Sequence, residues 1–126
     1  MNLVDSSCWL EYFAGTAAGN KVAAAIEQIS NLIVPTIILY EVFKKLLQET
    51  DEDDALFAAA HMKQGRVIDL DTDLAIFAAG LSKAYKLSLA DSIIYAAARK
   101  YKCILWTQDK HFKSLENVRY LPKGRA

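Results

Sequence analysis

Four acidic residues sit where an acid is awkward for folding. Asp5 follows the apolar Leu3-Val4, and Glu41 interrupts a run that begins Ile37-Ile38-Leu39-Tyr40. Asp91 opens the nearly all-apolar stretch Ser92 to Ala98, and Asp109 lies just past Ile104-Leu105-Trp106. Carboxylates are seldom set against core segments unless something compensates their charge. Gathered at one place, they would repel one another and their pKa values would rise unless a cation neutralised them. The cation that suits such an oxygen donor set is hard and divalent. The chemistry indicated is metal-dependent phosphoryl transfer, with a nuclease as the leading candidate.

Each acid also has a local reading. Asp5, helped by Ser6 and Ser7, is a helix N-cap, and Asp91 fits a capping box with Ser88. Asp109 ends a turn or begins a short helix. Glu41 shares a helix face with Lys44, Lys45 and Gln48, either as a surface ion pair or as the lining of a cleft. Other acidic segments are set aside. Val67 to Asp73 resembles a phosphatase nucleophile loop and the start of an EF-hand, but Asp73 departs from the first and Leu74 from the second. Helix capping is the better account there, and Asp51-Glu52-Asp53-Asp54 reads as a solvated loop and helix start. His61 and His111 share no ligand spacing with each other or with cysteine, so a zinc site is not expected. There is no glycine-rich phosphate loop.

The elements that must position these acids follow from periodicity. Strands are expected at Asn2 to Val4, Leu32 to Val34, Val67 to Leu70 and Ile104 to Trp106, with a possible edge strand at Val118 to Leu121. Helices are expected at Ser6 to Phe13 (closed by Gly15), Lys21 to Ile29, Thr36 to Gln48 and Asp54 to Lys63, with Gly65 as C-cap. Further helices are expected at Asp73 to Tyr85, Leu89 to Tyr101 and His111 to Leu115. Alternating strands and helices predict an α/β fold, with a parallel sheet covered by helices on both faces. In such folds the working crevice lies outside the carboxyl ends of the strands. Asp5 and Asp109 follow their strands directly and should share that edge.

Composition sets the frame. The 126 residues, 53% of them apolar, make one domain spanning 1–126 with a sizeable core. No apolar run is long enough for a membrane span, and the N-terminus lacks the basic region of a secretory signal. Cys8 and Cys103 read as buried thiols in a reducing cytoplasm. The formal charge is zero, so any nucleic-acid binding must rest on local patches such as Lys44, Lys45, Lys110 and Lys113.

At this point the residues match a known pattern. Asp5-Ser6-Ser7 after the first strand, Glu41 in the helix opened by Pro35-Thr36, and Leu89-Ala90-Asp91-Ser92 before Ile93 to Ala98 resemble the PIN domain, as does Trp106-Thr107-Gln108-Asp109-Lys110-His111-Phe112. More narrowly, the chain resembles VapC-type toxins of bacterial or archaeal toxin–antitoxin pairs. The resemblance covers essentially the whole length. It implies a three-layer α/β/α sandwich with a mostly parallel central sheet, and Mg2+- or Mn2+-dependent endoribonuclease activity that cuts RNA by metal-activated water. On that carry-over Asp5, Glu41, Asp91 and Asp109 form the catalytic and metal-binding quartet, and Ser6, Ser7 and Thr107 supply supporting hydroxyls. A small antitoxin protein is implied as partner, and a homodimer is expected. The rival readings are a structure-specific DNA nuclease and a non-catalytic binding module on a similar sheet.

Overall fold

The computed structural model describes residues 1–123 of the chain. Five short strands form one sheet: β1 (Asn2–Val4), β2 (Leu32–Pro35), β3 (Arg66–Ile68), β4 (Ile104–Thr107) and β5 (Val118–Tyr120). Their order is β3-β2-β1-β4-β5, and every pairing is parallel. Six helices lie between them: α1 (Ser6–Ala14), α2 (Ala17–Glu27), α3 (Thr36–Glu49), α4 (Glu52–Met62), α5 (Thr72–Tyr85) and α6 (Leu89–Lys100). The fold is the expected α/β/α sandwich, with its sheet parallel throughout.

The chain steps from β1 outward to β2 and β3, then returns to place β4 on the other side of β1. Right-handed crossovers therefore put α1 to α4 on one face and α5 and α6 on the other. The two directions part between β1 and β4, which is the switch point where a crevice opens beyond the strand ends. Leu3 and Val4 of β1 and all of β2 are buried, as the central strands of a two-sided sheet require. On α6, Ser92 to Ala98 are all buried. A helix apolar on all sides belongs in the interior, and the alanines Ala96, Ala97 and Ala98 let the sheet and α5 approach closely.

Local chemistry sets the helix ends. Asp5, Thr16, Asp51, Asp71 and Ser88 each cap a helix by accepting a backbone N–H. Gly15 closes α1 in the left-handed conformation at φ 70°, as expected. The second helix starts four residues before the expected Lys21, at Ala17, because the Thr16 hydroxyl accepts from Gly19 N–H. Gly65 does not cap α4; Lys63 does, in the right-handed conformation. Gly65 instead lies against β2, where an added Cβ would be 3.0 Å from Val34. The short helix expected at His111 to Leu115 is a single 3-10 turn, Lys110–Phe112.

Candidate active site

Because Val4 pairs with Trp106, the residues just beyond them, Asp5 and Thr107, are brought side by side at the switch point. Asp5 N–H donates to Trp106 O at 2.9 Å, which fixes the backbone there. The Asp5 carboxylate divides its oxygens. Oδ1 accepts from Ser6 N–H at 2.8 Å, and Oδ2 accepts from the Thr107 hydroxyl at 2.7 Å. The same hydroxyl oxygen accepts from Asp109 N–H at 2.9 Å. Thr107 is thus a buried pivot that orients two acids from opposite sides. Its chemistry requires a side chain that both donates and accepts.

The other two acids arrive on helices. Glu41 lies in the second turn of α3, and Asp91 in the first turn of α6, where its N–H donates to the Ser88 hydroxyl at 3.3 Å. All four carboxylates line one cavity of about 760 Å³, together with Ser6, Ser7, Gln108, Lys110, His111 and Tyr120. Capping and site-building are therefore the same placement for Asp5 and Asp91, not rival explanations. Ser7 serves β4, its hydroxyl accepting from Gln108 N–H at 3.3 Å.

Burial dominates the electrostatics. It pushes the Asp5 carboxyl up to about 6, against the Thr107 and Ser6 hydrogen bonds that favour its charge, with smaller repulsion from Asp91 and Asp109. Glu41 is raised by burial and then by the Asp5 charge, with the Ser6 hydroxyl opposing. Asp91 is raised by burial and by Asp109, offset in part by Ser88 and His111. Glu41 Oε1 is buried and has no hydrogen-bond partner among the described residues. A buried carboxylate oxygen without a partner, facing three more acids, is a strong demand for positive charge. The lining is mainly oxygen and suits a hard divalent cation; of the four acids, Asp91 and Asp109 are the pair brought to metal-ligand spacing, while Asp5 and Glu41 line the same cavity.

Sequence reasoning did not foresee His111. Its Nδ1 lies 3.1 Å from Asp109 Oδ1 and 3.4 Å from Asp91 Oδ2. Asp91, Asp109 and His111 each offer one ligand atom within 4.8 Å of the other two. The 3-10 turn, with His111 N–H donating to Asp109 Oδ1 at 2.9 Å, brings the ring back over the acid two residues earlier. Spacing rules for helices and strands do not anticipate that return. Gln108 was also passed over; it is buried and reaches Glu11 Oε2 at 3.4 Å.

The expected basic contacts separate. Lys110 lines the cavity, and Lys113 lies over the Tyr120 ring beside it. Lys44 lines a different groove with Tyr40 and Phe43, and Lys45 pairs with Glu49 at 3.1 Å. Both cysteines are buried and free. Burial and the nearby Asp5 charge push the Cys8 thiol up to about 12, so it is no nucleophile.

Comparison with known proteins agrees with this geometry. The chain matches solved structures closely in fold and weakly in sequence. A toxin–antitoxin complex from Klebsiella pneumoniae superposes with a TM-score of 0.79 at 24% identity, covering 94% of this chain and 96% of the other. Mycobacterium tuberculosis VapC20, described as a sarcin-ricin loop cleaving toxin, gives 0.76 at 21% identity over 92% and 95%. VapBC2 from Rickettsia felis, bound to a DNA fragment from its promoter, gives 0.73 at 12% identity over 96% and 97%. No curated protein matches the chain by sequence. The model of the PIN domain matches residues 3–118. That span runs from β1 to the start of β5 and holds all four carboxylates together with the Thr107 pivot, so the chain belongs to the PIN domain family.

Proposed function

We propose that the protein is an endoribonuclease dependent on Mg2+ or Mn2+, acting as the toxin of a toxin–antitoxin pair. The observation that carries this reading is the convergence of Asp5, Glu41, Asp91 and Asp109, from four separate segments, on one cavity at the sheet's switch point. A divalent cation bound there supplies Lewis-acid stabilisation of phosphoryl charge and a water acidic enough to attack at neutral pH. The protein's own contribution is positional. Thr107 holds Asp5 and Asp109, Ser6 fixes the other Asp5 oxygen through its N–H, and burial keeps the carboxylates in need of a counter-charge. Lys110 and Lys123 line the same cavity and offer charge to the RNA backbone. Tyr120, also in the lining, gives a ring on which a splayed base can stack.

The substrate is a single-stranded stretch or loop in a folded RNA, because A-form duplex hides its bases and this neutral chain has few clustered cations to grip it. The M. tuberculosis relative, described as cleaving a loop, supports that choice. The Klebsiella complex supports a small antitoxin as partner. Self-association fits an apolar groove between α5 and α6, lined by Leu70, Ala75, Ala79 and Leu89 and flanked by Ile76, which is 69% exposed.

Asp91→Asn tests the reading. It removes one repelling acid, so the metal-free domain should stay folded while cleavage of a defined stem-loop is lost. Mapped ends should carry a 5′-phosphate and a 3′-hydroxyl, and matched DNA should be cut poorly. Normal activity in the variant, or a 2′,3′-cyclic phosphate product, would overturn it.

A further inference from the structure

His111 is an imidazole at an otherwise oxygen-rich site. Its ring is 76% exposed, so it is free to turn toward solvent, yet Nδ1 stands between two carboxylate oxygens at 3.1 and 3.4 Å. Those separations carry meaning for a metal. Neighbouring ligands at right angles on an octahedral ion, with bonds of about 2.1 Å, lie about 3 Å apart. The Nδ1 of His111 therefore already stands near the spacing of an adjacent coordination position from each acidic oxygen, and the three ligand atoms lie within 4.8 Å of one another. Its root is also fixed. The His111 N–H donates to Asp109 Oδ1 at 2.9 Å, which ties the residue's backbone to that acid. Phe112, fully buried, anchors that turn in the core.

A nitrogen among oxygen donors changes which cation the site prefers. Mg2+ binds oxygen and retains its waters. Imidazole suits transition-metal ions, whose affinity for a mixed nitrogen and oxygen set rises from Mn2+ through Fe2+ to Co2+. We propose that His111 is a direct ligand of the cation held by Asp91 and Asp109, and that it biases the site toward divalent transition-metal ions over magnesium. The inference rests on the reading of the acidic cavity as a metal site and adds to it the residue that sets the metal's identity.

The test uses the intact protein with manganese(II) chloride and magnesium chloride, and reads binding without reference to cleavage. Pulsed electron paramagnetic resonance of the Mn2+-loaded wild type should show nitrogen hyperfine coupling from a coordinated imidazole. His111→Gln, which keeps a polar side chain but no ring nitrogen, should lose that coupling. Mn2+ affinity should fall in His111→Gln and His111→Ala by at least about tenfold, the lower end of what loss of even an outer-sphere partner costs a metal site. Mg2+ affinity, measured calorimetrically, should stay nearly unchanged. Bound Mn2+ without nitrogen coupling, or equal losses for both cations, would overturn the role of His111 and leave the nuclease reading standing. Failure of wild type to bind either cation would overturn both.

Discussion

At the scale of single residues, the site depends on side chains that hold acids as much as on the acids. Thr107 is fully buried, and its hydroxyl serves Asp5 and Asp109 together. Thr107→Val keeps the shape and deletes both bonds. It leaves a buried carboxylate oxygen and a backbone N–H unpaired, at a cost of about 2–4 kcal/mol. Urea denaturation should register that loss, cleavage should fall with it, and Thr107→Ser should restore most of both. A second prediction concerns pH. Asp5 titrates near 6 in the folded protein, above its ordinary range, so the folded state holds the proton more tightly than the unfolded chain does. The stability this gives is fully present below pH 4 and is lost as pH rises through about 6. The difference for Asp5 amounts to ~3 kcal/mol, and Glu41 and Asp91 are shifted in the same direction. The metal-free protein should therefore melt higher at pH 5 than at pH 8. Asp5→Asn should remove much of that slope, and saturating Mg2+ or Mn2+ should flatten it by supplying the missing charge at high pH. The positions of the acids were legible in the sequence because each stands against an apolar run. His111 was not, since a 3-10 turn projects residue i+2 back onto residue i and leaves no periodic trace.

Among elements, the acids meet because strands and helices end where they do. The two that follow strands, Asp5 and Asp109, could be placed from the alternating pattern alone, whereas Glu41 and Asp91 require knowing how α3 and α6 lean over the sheet edge. That lean is set by packing between residues far apart in sequence. The same holds for α2, whose early start at Ala17 was hidden by the weak pattern Ala17-Ala18-Gly19-Asn20, and for Gly65, whose place against β2 only the assembled sheet defines. Gly19 marks a close approach of α2 to the α1 backbone. A Cβ there would collide with Glu11 O and stand 2.7 Å from Tyr12 Cα, both backbone atoms of α1. Backbone cannot swing aside as a side chain can, so Gly19→Ala should destabilise the domain by about 1–3 kcal/mol. Since α1 begins at Asp5, the forced shift should also lower activity. Gly80 is the control. It lies inside α5 with nothing within 4 Å of an added Cβ, so Gly80→Ala should stabilise by about 1 kcal/mol. Denaturant midpoints of the two variants should move in opposite directions.

Among the described residues, apolar grooves lie on both helix layers, and the proposed assembly gives one on each layer a use. The aromatic residues of the first helix divide between core and surface. Trp9 is core, whereas Phe13 lines a groove with Leu10, Leu46 and Phe57, the last 68% exposed. This groove runs between α1, α3 and α4, on the helix layer whose α1 starts at the acids. An amphipathic segment of a small partner laid there would bury Phe57, and the chain continuing from it along α1 toward Asp5 would bring an arginine to the carboxylates. The α5–α6 groove, on the other layer, is left for a second copy of the chain. Two charge substitutions separate these uses without disturbing the core, because both target exposed side chains. Ile76→Asp should convert a dimer to a monomer in light scattering and leave capture of the co-expressed partner intact. Phe57→Asp should do the reverse, preserving the dimer while the partner no longer co-purifies and no longer suppresses cleavage. If Phe57→Asp still yields a fully inhibited complex, the partner docks elsewhere; if Ile76→Asp remains dimeric, the α5–α6 face is not where the copies meet.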